Sequence, residues 1–227
     1  GIGSSNARWI PSGTVGSGSP GALTNGIFGT GTIHIGKTTT DQSTIFLAGA
    51  AIVNNAITYN SQLGTDTGGA VRVDATGGTF AGVQTAGATA MTFAPYSGGT
   101  LTITGQMTGS GTFTGTTSTA SYGTGYAIGT NAGLIIGSST GNGIGLATVI
   151  LNNASANNNY SGDTYVTASG ILQTNAASQL PSGAGTGSLY LDGKFNLQGN
   201  SQATGLLSGT GTVDGVSGTP TLTIGSN

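Results

Sequence analysis

The residues equipped for chemistry are few and thinly spread. Asp41, Asp66, Asp74, Asp163, Asp192 and Asp214 are the acids and Arg8, Lys37, Arg72 and Lys194 the cations. His34 is the sole histidine, and the 227 residues include no Glu and no Cys. Cleaving a polysaccharide requires carboxylates gathered into acid and base roles, and only Asp66, Arg72 and Asp74 approach such a grouping. On an extended strand Arg72 and Asp74 share a face, being two apart, and could meet a ligand or pair at the surface. A solvated pair of that kind contributes under about 1 kcal/mol. The expectation is therefore a surface contact and no catalytic residue. With one His and no Cys, Glu or second His, a zinc site or a nucleophile triad would be hard to assemble, so neither a metal nor a cofactor is expected. Gly-x-Ser-x-Gly and Gly-x-x-x-x-Gly-Lys-[Ser/Thr] are also missing.

Charge and apolar runs narrow the partners. Four cations and a net charge of −2 leave no basic groove for nucleic acid. Runs such as Gly133–Ile136 and Ala147–Leu151 fall far short of the roughly 20 residues of a membrane helix, so no membrane insertion by this segment is expected. His34 sits between Ile33 and Ile35, which puts it on the opposite, exposed side of an alternating strand. Tyr59, Tyr96, Tyr122, Tyr126, Tyr160, Tyr165 and Tyr190 could stack on sugars, but their spacing suggests no common face, and they read as core fillers or caps. Asn6–Pro11 holds the only Trp together with an Arg and a Pro. Arg8, Trp9 and Pro11 are candidates for end-to-end docking.

The elements that position these residues come from an unusual composition. The chain has 45 Gly, 39 Thr, 23 Ser and 16 Asn, more than half of its length, and only 4% charged residues. With almost no net charge it is not disordered by composition. Each interior Gly costs a helix about 1 kcal/mol relative to Ala, and no amphipathic 3.6-residue pattern is found. Alternating strands bounded by Gly, Asn or Asp turns are found instead at Thr30–Ile35, Thr44–Leu47, Ala70–Asp74, Thr100–Thr104, Gly111–Thr114, Ser188–Leu191, Lys194–Leu197 and Thr221–Ile224. Gly-x-Gly-Thr plus an apolar residue recurs at 29–33, 109–113 and 209–213, and Thr100-Leu-Thr-Ile-Thr-Gly105 is echoed by Thr221-Leu-Thr-Ile-Gly225. Offsets in multiples of about 20 residues match the coil of a parallel β-helix, whose corners need Gly or Asn. At that length the chain would make about 11 coils and a rod of roughly 50 Å. The predicted organisation is an N-terminal cap or docking segment at 1–24 followed by a β-solenoid at 25–227.

The segment Asn157-Asn-Asn-Tyr-Ser-Gly-Asp-Thr-Tyr-Val-Thr-Ala-Ser-Gly-Ile-Leu-Gln-Thr-Asn-Ala-Ala-Ser-Gln-Leu180 resembles the passenger-associated transport repeat of autotransporters, N-x-Y-[ST]-G-G-T-T-V-x-A-G-T-L followed by a short turn. Gly187–Leu191, Gly193–Leu197 and Leu206–Val213 are similar to the strand phrases that follow it in that family, and Ile45–Ile57 and Gly99–Phe113 to those before it. Asp163 stands where the second repeat Gly is usual, Ile171 where Thr is usual, and Leu180-Pro181 where the turn normally ends Leu-Gly. Asp tolerates a left-handed turn, so the first departure leaves the fold reading intact. The resemblance implies an all-β, right-handed parallel β-helix, a passenger without its membrane barrel, secreted across a Gram-negative-type envelope and displayed extracellularly.

The expected function is a structural or adhesive surface rod, not an enzyme. It would self-associate head to tail as a homo-oligomer, with surface polysaccharide as a further partner. The competing readings are a carbohydrate-binding or polysaccharide-cleaving β-helix and an ice-binding solenoid. The second would need a flat rank of Thr, and the Thr-x-Thr units do not recur once per coil.

Overall fold

A three-residue strand with one apolar face cannot bury that face alone. It must pair with further copies and pile them around a shared core. The computed structural model of the chain has this arrangement and describes residues 8–9, 31–36, 44–47, 50–60, 71–95, 98–113, 131–137, 146–154, 158–182 and 187–225. Among these residues there are 21 short strands and no helix. Every strand pair is parallel.

The strands form faces of a β-solenoid. The first face has eight strands, in the order β1 (Arg8–Trp9), β3 (Thr44–Leu47), β6 (Val71–Val73), β9 (Met91–Phe93), β12 (Ala132–Ile136), β14 (Asp163–Val166), β16 (Leu189–Leu191) and β19 (Leu207–Ser208). The second has seven: β4 (Ala51–Val53), β7 (Gly78–Phe80), β10 (Thr100–Ile103), β13 (Ala147–Leu151), β15 (Gly170–Thr174), β17 (Lys194–Asn196) and β20 (Thr212–Asp214). The third has four: β2 (Ile33–Ile35), β5 (Ile57–Tyr59), β8 (Gln84–Ala86) and β11 (Met107–Gly109). From β3 to β11 the chain visits first, second and third face in strict rotation. β18 (Gln202–Thr204) and β21 (Leu222–Ile224) pair with each other at the third place of the last two coils.

Inward side chains line up in register. On the second face Leu101, Val149, Leu172 and Phe195 are successive partners and are fully buried. On the first face Phe93, Ile136, Val166 and Leu191 do the same. Tyr59 meets Phe93 across the core edge to face, with centroids 5.9 Å apart.

The coil is not the uniform unit the repeats predicted. The step from Leu101 to its partner Val149 is more than twice the step from Phe195 to Val213. Among the described residues the first face holds eight strands, a stack of about 34 Å at ~4.8 Å per strand, where about 11 coils were expected of the whole chain. The repeated phrases are not equivalent positions either. Ile33 lies on the third face and Val213 on the second, while Phe113 follows β11 and donates its N–H to Ala132. Likewise 100–103 forms β10 of the second face and 222–224 forms β21 in the third place. Gly-rich phrases mark corners, and a solenoid has several corners per coil. At one of them a Cβ on Gly105 would come within 1.8 Å of the Gly82 carbonyl oxygen, so only Gly permits that approach.

Among the described residues no strands pair on the third face between β11 and β18, and amide side chains carry the contact from coil to coil. Asn158 Oδ1 accepts the Met107 N–H (2.9 Å), and its Nδ2 donates to the Gln179 carbonyl (2.9 Å). Gln179 Oε1 accepts the Asn153 N–H (2.8 Å) and its Nε2 donates to the Asn153 carbonyl (2.9 Å). Gln202 Oε1 accepts the Gln179 N–H (2.7 Å). One level back in the stack, Tyr59 Oη donates to Gln84 Oε1 (2.6 Å). All of these side chains are buried, and each amide replaces a backbone partner that would be costly to leave unpaired.

Candidate functional site

Of the residues that sequence singled out, Asp66 and Pro11 lie outside the described residues. Arg8 and Trp9 are β1, at one extreme of the first face, opposite Thr44 and Ile45. Arg72 is the central residue of β6, opposite Phe46. The strand ends at Val73, so Asp74 belongs to the turn. Its Oδ1 accepts the Thr76 N–H (2.9 Å) and the Thr76 hydroxyl, and Thr76 Oγ1 accepts the N–H of Ala50 in the preceding coil (3.1 Å). Asp74 therefore holds a corner together. His34 is exposed between the buried Ile33 and Ile35, as alternation predicts. Among the described residues no three His, Asp or Glu side chains gather as a metal ion would require, and no helix is long and apolar enough to cross a membrane.

Asp163 corrects an expectation. Gly162, at φ 87°, takes the left-handed position, whereas Asp163 is the buried first residue of β14. Its carboxylate joins three coils, since Oδ1 accepts the Ser188 N–H (2.8 Å) and Oδ2 accepts from Asn131 Nδ2 (3.3 Å). Lys194 Nζ lies 3.2 Å from Asp214 Oδ2 at the surface. The Asp214 carboxyl is held below its ordinary pKa, first by the Val216 N–H and then by the Lys194 hydrogen bond. Burial raises the pKa of the Tyr59 and Tyr160 hydroxyls, which stay protonated.

Two features of the structure go beyond the residues singled out in the sequence. The first is the edge at β19–β21. Val213 continues the column of Leu172 and Phe195 yet is 37% exposed, and Leu206, Val216 and Ile224 are 50–53% exposed nearby. Several large apolar side chains thus meet water on one coil. The second is an aromatic stack. Tyr165 and Tyr190, expected to share no face, lie in register on β14 and β16 with ring centroids 4.4 Å apart and planes 10° from parallel. Tyr165 belongs to a separate apolar cluster with Ala90, Phe113, Ala132 and Ile135, on the outer side of the first face. The sequence signal was the likeness of Asp163-Thr-Tyr-Val to Ser188-Leu-Tyr-Leu, visible once the two are laid on neighbouring coils. Tyr59 and Tyr160 are core residues, while Tyr96, Tyr122 and Tyr126 lie outside the described residues.

The arrangement defines a parallel β-solenoid with a buried amide ladder and an apolar edge. No known protein family, curated protein or solved structure matches the chain.

Proposed function

We propose that the chain is a structural or adhesive rod displayed outside the cell, of the kind its resemblance to autotransporter passengers implies. In this reading it associates head to tail into a fibre or surface layer and is not an enzyme. The observation that carries the reading is the stack itself, in which parallel strands pair in register and Leu101, Val149, Leu172 and Phe195 pile up fully buried along one column. Exposed apolar side chains beside parallel strands, such as Val213, offer a surface on which strands of a second copy can pair. A head-to-tail contact does not close on itself, so it propagates. The use made of the repeat residues supports a rod: Asn158, Tyr160 and Asp163 are spent on hydrogen bonds and burial inside the stack. Sedimentation across a concentration series, with electron microscopy of the same sample, is expected to show linear end-to-end oligomers that Val213→Asp suppresses. A monomer at every concentration would overturn the association. Release of reducing ends from a polysaccharide panel would overturn the non-enzymatic reading.

A further inference from the structure

On the outward side of the third face His34, Thr58, Thr85 and Thr108 are successive partners on β2, β5, β8 and β11. The coil after β11 continues this column. Asn159 donates its N–H to the Met107 carbonyl (2.9 Å) and Ser161 donates its N–H to the Gly109 carbonyl (2.8 Å), as a parallel neighbour does, which sets Asn159 beside Thr108. Alternation then decides which side chains face the stack. Asn158 and Tyr160 are buried, whereas Asn159 and Ser161 are exposed. The Asn158 amide bonds to the coils on both sides, but the Asn159 amide makes no hydrogen bond among the described residues.

Asn159-Tyr-Ser161 has the form Asn-x-Ser, in which the asparagine amide can accept a sugar when a hydroxyl follows two residues on. Of the 16 asparagines only one other precedes such a hydroxyl, in Asn153-Ala-Ser155. Triplets of this kind arise readily in a chain rich in Asn, Ser and Thr, so access decides between them. Asn153 is buried, and its Nδ2, the atom a sugar would occupy, donates to Asn158 Oδ1 (3.4 Å) inside the amide ladder. A sugar there would break the ladder. On Asn159 it would stand outside the stack.

We infer that Asn159 is an N-glycosylation site of the surface-displayed chain and that Asn153 is not. In the transfer Asn159 Nδ2 attacks C1 of an activated sugar diphosphate, held by a glycosyltransferase of the cell that makes the chain. The Nδ2–C1 bond forms as C1–O breaks, Nδ2 gives up one proton, and the diphosphate leaves with the bonding pair. The inference rests on the display proposed above but not on end-to-end association, because Asn159 lies on the flank of the rod.

The test is mass spectrometry of the full chain isolated from the cells that make it, with display read on the same cells by protease added from outside. Peptides covering residues 152–166 are fragmented under conditions that keep sugars attached. A hexose or N-acetylhexosamine is expected on Asn159, with Asn153 bare. Asn159→Gln and Ser161→Ala, both on exposed side chains, are expected to lose that sugar completely while display and the circular dichroism spectrum are unchanged. Ser161→Ala is the sharper variant, since it keeps the acceptor amide and removes only the hydroxyl. A bare Asn159 on a displayed chain would overturn the site and leave the display standing. A chain found only inside the cell would overturn the display and the site with it. Sugar on Asn153, or sugar that stays on Asn159 in Ser161→Ala, would also overturn the proposal.

Discussion

The middle coils and the β19–β21 coil are built from the same residue types in the same register, yet one set is dry and the other wet. Leu172 and Phe195 are fully buried, whereas Val213, next in the column, is 37% exposed. A middle coil has a neighbour on both sides and the β19–β21 coil has one among the described residues. In a solenoid each coil contacts only its neighbours, so burial depends on position in the stack as well as on residue type. An identical apolar side chain therefore stabilises the fold in one place and offers a contact surface in the other.

The widest separation between the two regions should come from paired truncations. Leu172→Ala is expected to cost about 2–5 kcal/mol as a core cavity, and Val213→Ala no more than about 0.5 kcal/mol in the monomer, both read by denaturant unfolding. Equal costs would show that the edge coil is covered in solution. The amide ladder should come next. Gln179→Ala leaves the buried Asn153 N–H and carbonyl without the partners that Gln179 supplies, at about 1–3 kcal/mol for each group stranded. Gln198→Ala, on a half-buried side chain at the rim, should cost far less. Similar losses in the two variants would remove the ladder from the explanation of the middle coils.

Smaller effects follow from titration. The folded pKa values of Tyr59 and Tyr160 are raised by burial, so their contribution is complete below the unfolded tyrosine pKa of about 10 and is lost as pH rises above it. Far-UV circular dichroism should show alkaline unfolding above that pH, and Tyr160→Phe should weaken its pH dependence. Asp214, at the exposed coil, has a lowered pKa, so its contribution is present above the ordinary carboxylate pKa and disappears as pH falls through the folded value. Being at the surface, it should give the smallest change of all, visible as a slight flattening of the acid limb in Asp214→Asn and weakened further by salt.

How much of this was legible beforehand varied with the range of the interaction. The alternation in Ile33-His-Ile35, Thr100-Leu-Thr-Ile103 and Lys194-Phe-Asn196 placed strands and their buried sides correctly, because side-chain direction in a strand is local. The repeated Gly-x-Gly-Thr phrases misled, because corner chemistry is also local and recurs at every corner whatever its face. Asn158, Gln179 and Gln202 look like ordinary polar residues in the sequence. They become a ladder only when coils with different steps are stacked.

By itself the sequence determined that this chain would be all strand and turn, nearly uncharged, and built by stacking. Gly density excludes helices, and two-residue alternation allows one dry face per strand. Tertiary structure alone decided which coil lies on which: that Tyr165 and Tyr190 become consecutive rungs with Ser208 after them, that Asp163 ties three coils together, and that Val213 stands in water. The reason is the variable loop between strands. A coil closes by pairing with the one before it, and the length spent at its corners, which no local pattern encodes, sets the register of everything that follows.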